Sequence, residues 1–307
     1  MAPVIQQPES RDGLTAGVGA YVLWGLFPLY WPLLKPAGAF EILAQRIVWS
    51  FVFVVLTMLI LRSSWRWVAT VFTRATAPRL VAMSVLIAIN WTTYIVAVNS
   101  GHVVEASVGY FINPLVNVAL GVLIFREHLG TTGRIGVGLA FVGVLILAWG
   151  SLPTLWISLT LAFSFGLYGV AKKKANLPAL NGLLVESAIL LVPSLAFVVF
   201  LGATGQGQFG RSLPADGLML LSGPATVIPL WLFALAAARL PLGLVGILQY
   251  LAPTIQFVLG ITLFGQHVTP AYWAGLILIW AGSVFYLTGA LRHAGRTRAS
   301  SAIGEQS

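Results

Sequence analysis

The chain contains no cysteine, and only 8% of its 307 residues are charged. Without thiols it can form no disulfide, no thiolate nucleophile and no thiolate metal site. A soluble domain of this length carries about 25% charged residues, so a large globular enzyme describes it poorly. Acidic side chains number eight, and Asp12 and Asp216 are the only aspartates. A membrane-embedded enzyme such as a lipid transferase usually clusters carboxylates, often around a metal; here they are dispersed. The four histidines are scattered too, with no metal-site spacing. No Gly-Lys-Ser/Thr phosphate loop occurs. No secretory signal is evident either, because the first apolar run is long enough to stay as a membrane span. The sequence therefore predicts a non-enzyme without cofactor or metal.

What the chain has is apolar length. Hydrophobic residues make up 58% of it, and its mean hydropathy is +0.92. Roughly twenty apolar residues cross a hydrocarbon core. Candidate spans lie at 14–34, 41–61, 79–99, 103–125, 132–149, 153–171, 182–201, 216–239, 244–265 and 270–291. The segments before 14 and after 291 read as polar tails. Connecting loops reach at most about fifteen residues, too short for a nucleotide-binding domain, so active transport would draw on a gradient.

The ten spans fall into two sets of five. Pro114, Leu120, Gly121, Phe125 and His128 recur as Pro253, Leu259, Gly260, Phe264 and His267, each shifted by 139 residues. An odd number of spans separates the copies, so the second crosses in the opposite direction. The expected fold is all-α integral membrane, with ten transmembrane helices in two inverted five-helix repeats, 14–149 and 153–291. Such carriers place the solute near mid-bilayer, where the repeats meet. With the N-terminus cytoplasmic, the inner segments hold Arg11, Arg62, Arg66, Arg74, Arg79, Arg126, Arg134, Lys172, Lys173, Lys174, Arg239, Arg292, Arg296 and Arg298. The outer loops hold only Lys35 and Arg211. This asymmetry predicts both tails, 1–13 and 292–307, to be cytoplasmic. It also accounts for the net charge of +9 without nucleic acid.

Polar side chains inside spans usually face the bundle interior, a partner or a water-filled path. Tyr110, Asn113 and Asn117 share one helical face beside Pro114, and Gln249, Tyr250 and Gln256 flank Pro253. These two faces read either as opposite walls of one cavity or as hydrogen-bonding glue between helices. Asn90, Trp91 and Tyr94 add aromatics and an amide suited to an amphipathic small molecule, although Trp91 alone would read as core or lipid contact. Arg46 and Glu186 match under a shift of 140. They are expected to pair across the repeat axis, unless Arg46 snorkels outward. Glu105 reads as a proton or cation acceptor at the outer mouth, or as a favourable acid in a helix's first turn. Lys172 to Lys174 read as topology signals, with attraction of an anionic solute as a second role. Gly136, Ala140 and Gly143, and Gly275, Ala281 and Gly282, have the small-residue spacing of helix packing or a dimer contact.

The run NWTTYIVAVNSGHVVEASVGYFINP at 90–114 closely resembles the RarD family of the drug/metabolite transporter superfamily, within the EamA class. So do ILAQRIVWS at 42–50, Leu152-Pro153, LAFSFGLYGVAKKK at 161–174 and LQYLAPT at 248–254. The resemblance implies a permease of the bacterial plasma membrane with a cavity formed by helices one to four and six to nine. Helices five and ten would stand outside it. One departure is visible: EamA repeats usually end in Phe-x-Gly-Glu or a close variant. The first copy here keeps Glu127, while the second has Gln266.

The expected function is secondary transport of a small organic metabolite or drug-like solute by alternating access. The resemblance implies export. A proton gradient would drive it through Glu105 or Glu186, a role that competes with pairing of Glu186 to Arg46. A lipid-precursor flippase is the alternative. A monomer suffices for the cavity, and a homodimer is compatible with the small-residue stripes. A passive channel is disfavoured because no ring of charge or filter loop is present.

Overall fold

The computed structural model describes residues 11–125, 130–150, 152–175, 177–240, 244–245, 248–285 and 288. The tail at 292–307, most of the tail at 1–13, and Arg126, Glu127 and His128 lie outside them. Among the described residues every regular element is helical.

Helix α1 (Arg11–Gly25) is followed by α2 (Phe27–Tyr30), which runs into a 3-10 turn over Trp31–Leu34. Next come α3 (Ala39–Ile60), a short α4 (Val68–Val71), α5 (Ala77–Asn99) and α6 (Val103–Phe125). Then follow α7 (Thr131–Gly150), α8 (Leu155–Ala175), α9 (Ala179–Ala203) and α10 (Leu213–Arg239). The series closes with α11 (Leu251–Thr262) and α12 (Pro270–Phe285). Six of these helices are long and apolar enough to cross a membrane, and a seventh crossing counts if α1 and α2 form one bent span. Three more apolar helices are shorter.

Proline explains the bend in the first span. The chain turns by 41° between α1 and α2, where Pro28 cannot donate an N–H to the carbonyl four residues back. That carbonyl belongs to Trp24, and the side-chain Nε2 of Gln256 donates to it at 3.0 Å. A helix of the second half thus satisfies the group that proline leaves bare. Pro114 lies inside a continuous α6. The corresponding stretch of the second half is interrupted: Gln249 and Tyr250 form a turn before α11.

Neighbours are arranged reciprocally. Helix α5 packs on α8, and α1 on α10; α6 packs on α8, and α11 on α1. The most deeply buried side chains, among them Trp31, Ile42, Ile95, Leu161 and Met219, come from both halves and meet in one core. Large apolar side chains such as Phe141 and Val192 face outward, as a lipid-contacting surface requires.

The small-residue stripes meet within one molecule. A Cβ added at Gly143 would lie 2.6 Å from the carbonyl oxygen of Gly275, and one at Gly282 would lie 2.9 Å from the Ala140 Cβ. Helices α7 and α12 therefore approach at backbone distance, which bulky side chains would prevent. Gly143→Leu should destabilise the protein by about 1–3 kcal/mol, the usual penalty of overpacking. Gly138→Leu, where an added Cβ meets nothing within 4 Å, should melt like the parent. Thermal melting in detergent compares the two.

Candidate functional site

Arg46 is the centre of the polar interior. It sits seven residues into α3, is buried, and donates from Nε to Thr226 Oγ1 of α10 at 2.9 Å. Thr226 in turn donates to the Ser222 carbonyl at 2.9 Å, which orients its oxygen toward the guanidinium. Three aromatic rings surround the charge. The guanidinium carbon is 4.0 Å from the Trp91 ring centroid, 5.0 Å from Trp31 and 5.7 Å from Phe27. The hydroxyls of Tyr30, Tyr94 and Tyr110 also lie within reach of its field. A desolvated cation–π contact contributes about 2 kcal/mol, whereas burying an ion costs several. The rings offset part of that cost.

The neighbouring amide is tightly held. Asn90 donates from Nδ2 to the Leu161 carbonyl at 3.0 Å and to Ser164 Oγ at 3.1 Å, and its Oδ1 accepts from the Tyr110 hydroxyl at 3.2 Å. Tyr110 packs against Tyr94 with ring centroids 5.6 Å apart. The Tyr94 hydroxyl is buried without a hydrogen-bond partner among the described residues. Arg46, Asn90, Trp91, Tyr94 and Tyr110, read from sequence on three different spans, thus form one cluster on α3, α5 and α6, with Thr226 added from α10. It is packed rather than open: Arg46, Asn90 and Tyr94 are each at most 3% exposed.

The expected pairing of Arg46 with Glu186 does not occur. Glu186 Oε1 accepts from Lys172 Nζ at 3.2 Å and from the Tyr168 hydroxyl at 2.9 Å. The reason is geometric. Glu41, in the first turn of α3, accepts backbone N–H bonds from Gln208 and Phe209, just past the end of α9. Helices α3 and α9 therefore lie side by side and antiparallel. Arg46 and Glu186 each sit seven residues, about 10 Å, from the start of their own helix, and so fall at opposite depths. Lys172, read from sequence chiefly as a topology signal, is also the counter-ion of Glu186.

The amide faces of α6 and α11 turn to different neighbours. Asn117 is exposed, with Oδ1 beside Gly166 and Gly169 of α8. Gln256 is buried against Trp24, and its Oε1 has no partner among the described residues. Asn113 is buried with its Oδ1 in the same condition. Tyr250 stacks on Phe111 at 6.3 Å, and Gln249 is half-buried in the adjoining turn.

Glu105 belongs to a latch at the end of the bundle that holds Lys35 and Arg211, called the outer end here after the charge pattern. Gly265, at φ +61°, takes the left-handed turn that glycine tolerates best and delivers Gln266 to the start of α6. Gln266 Oε1 accepts the Val104 N–H at 2.9 Å, and its Nε2 donates to Glu105 Oε2 at 3.1 Å. An amide serves both partners, whereas the usual glutamate would face Glu105 as a second negative charge. Thr226, Phe27, Trp31 and the role of Gln266 were not foreseen. The Pro28 break, which brings Phe27 and Trp31 inward, was the available signal.

An all-helical bundle with an outward apolar surface and several helices long enough to cross a bilayer defines a multi-pass membrane protein, and its relatives place it among membrane transporters. The chain belongs to the RarD family. It is 49% identical over 293 residues to Protein RarD of Streptomyces exfoliatus, covering 95% of this chain and 93% of that one. Protein RarD of Escherichia coli is 36% identical over 293 residues, covering 94% and 98%. An uncharacterized transporter of Pseudomonas aeruginosa is 42% identical over 286 residues, covering 92% and 95%. No protein-family model matches. One solved crystal structure is similar in fold, with a TM-score of 0.59 at 16% identity, covering 89% of this chain and 96% of that one.

Lys172→Gln strands a buried carboxylate and should cost about 3 kcal/mol, the lower end for a broken buried pair, because Lys172 keeps 23% of its side chain exposed. Combining Lys172→Glu with Glu186→Lys should recover much of that loss. Combining Arg46→Glu with Glu186→Arg should recover none. Melting temperatures of the purified variants check all three.

Proposed function

We propose that the chain is a secondary transporter that moves a small organic metabolite or drug-like solute across the bacterial plasma membrane by alternating access. The observation that carries this reading is the buried cluster around Arg46, assembled from α3, α5, α6 and α10. Asn90, Trp91, Tyr94, Tyr110, Asn113 and Gln256 line the solute's route in this reading, with Asn117, Gln249 and Tyr250 flanking it. Export is the direction the family resemblance implies.

Ten crossings in two inverted repeats fit the helices: six long, one bent pair and three shorter. The reciprocal contacts support the inversion. Gly109 and Val116 of α6 meet Ser158 and Gly166 of α8 in the same order, as Gly17 and Gly25 of α1 meet Leu248 and Ile255. These two parallel pairs exchange under the repeat. Both termini are cytoplasmic on the charge pattern, and one chain holds the whole cluster, so a monomer suffices.

Three ties close the outer end in this reading: Gln266 to Val104 and Glu105, Glu41 to the loop after α9, and the Tyr30 hydroxyl to the Leu218 carbonyl at 2.5 Å. They must open for solute to pass outward. A proton would act through Glu105 at this latch, since Glu186 is held by its lysine. A lateral groove between α3, α5 and α9, lined by Phe40, Val85, Ile89 and Leu190 among others, offers no charge to a phosphate headgroup. It therefore does not favour a lipid-precursor flippase.

Comparing metabolites in cells with and without the protein identifies the accumulated solute, and flux into proteoliposomes then tests it. Flux should saturate and should vary with pH; a pH-flat rate removes proton coupling, and no flux of any accumulated compound contradicts transport. Because the chain lacks cysteine, Glu41→Cys with Gln208→Cys, across the second of these ties, can be bridged by a short bis-methanethiosulfonate linker whose disulfides a reductant cleaves. Flux should stop on bridging and return on reduction.

A further inference from the structure

Of the two ionised residues buried in mid-helix, one is neutralised and one is not. Glu186 has Lys172 as its counter-ion, and this is the only ion pair among the described residues. Arg46 has no carboxylate within 4.0 Å among them, and its one hydrogen bond leaves from Nε to Thr226. The four protons on its two terminal nitrogens therefore have no protein acceptor there. Aromatic rings cannot fill that role, because they meet the cation through its field and accept poorly along the N–H directions. A guanidinium with its Nε fixed and its terminal nitrogens unclaimed presents the paired donors that a planar oxyanion takes in bidentate fashion. The Tyr94 hydroxyl, buried without a partner and within reach of the same charge, supplies another donor. Trp91, 4.0 Å away, supplies a flat apolar wall.

Building on the transporter reading, we infer that the solute is an organic anion, its carboxylate bound by Arg46 and its flat apolar body lying along Trp91. A neutral solute leaves the terminal nitrogens desolvated and unpaired, and a cationic one is repelled. Both penalties act as selectivity against those classes.

The test is binding to purified full-length protein in detergent, by calorimetry and thermal shift. The probes are benzoate, phenylacetate and indole-3-acetate, set against their neutral amides and against benzylamine. The wild type should bind at least one of the acids about 30-fold more tightly than its amide, as expected when a buried charge pair loses one member, and should ignore benzylamine. Arg46→Lys, which keeps the charge but not the fork, should weaken acid binding, and Arg46→Gln should abolish the preference for acid over amide. If Arg46→Gln does not fold, the wild-type series and Arg46→Lys decide the matter. An amide bound as tightly as its acid, or no acid bound at millimolar concentration, overturns the inference. The binding assay is independent of flux. Acid selectivity without flux would fault the transporter reading alone, while unchanged flux through Arg46→Gln would fault the anion site alone.

Discussion

A charged group placed in hydrocarbon must be compensated by whatever surrounds it, and Arg46 is where this constraint is most acute. Its position brings three aromatic rings, a threonine and a set of tyrosines from five segments into contact. Trp31 and Phe27 reach the guanidinium from the segment that follows the break beside Pro28 in the first span. Gln256 in turn satisfies the Trp24 carbonyl that the break leaves bare. The central charge, the bent first span and the buried amide of α11 are thus one linked device.

The same constraint is solved differently in the inner half. Glu186 draws in Lys172 and the Tyr168 hydroxyl from the neighbouring helix, and the resulting triad is self-contained. Antiparallel packing of α3 and α9 keeps the two charges at different depths, so each needs its own solution. At the outer latch, Gln266 stands where the family pattern has an acid, and its amide joins the start of α6 to Glu105. The lost charge is accounted for by its neighbour, since two carboxylates would repel at that spacing.

Much of this was legible from residue order. Apolar length located the six long helices to within a few residues, because hydrocarbon thickness sets that length. The small-residue stripes of α7 and α12 foretold a close approach, and Asn90, Trp91 and Tyr94 on one span and Tyr110 on the next, read apart in sequence, lie together in the structure. What stayed hidden were partnerships between distant segments. Repeat symmetry matched Arg46 with Glu186 by position along the helix, but inversion turns equal position into opposite depth. Thr226 is an unremarkable threonine in sequence, and only α10 lying against α3 gives it a role. Pro114 sits within an unbroken α6, while its counterpart stretch in the second half is interrupted at Gln249 and Tyr250.

The central claim is that the Arg46 cluster is reached from each side of the membrane in turn. The cysteine-free chain allows a direct measurement: Thr226→Cys, labelled by a membrane-impermeant thiol reagent in oriented vesicles. The account predicts labelling from one face at a time, with the accessible face changing when solute is added. Thiols reached from both faces together, or from neither under any condition, would contradict it.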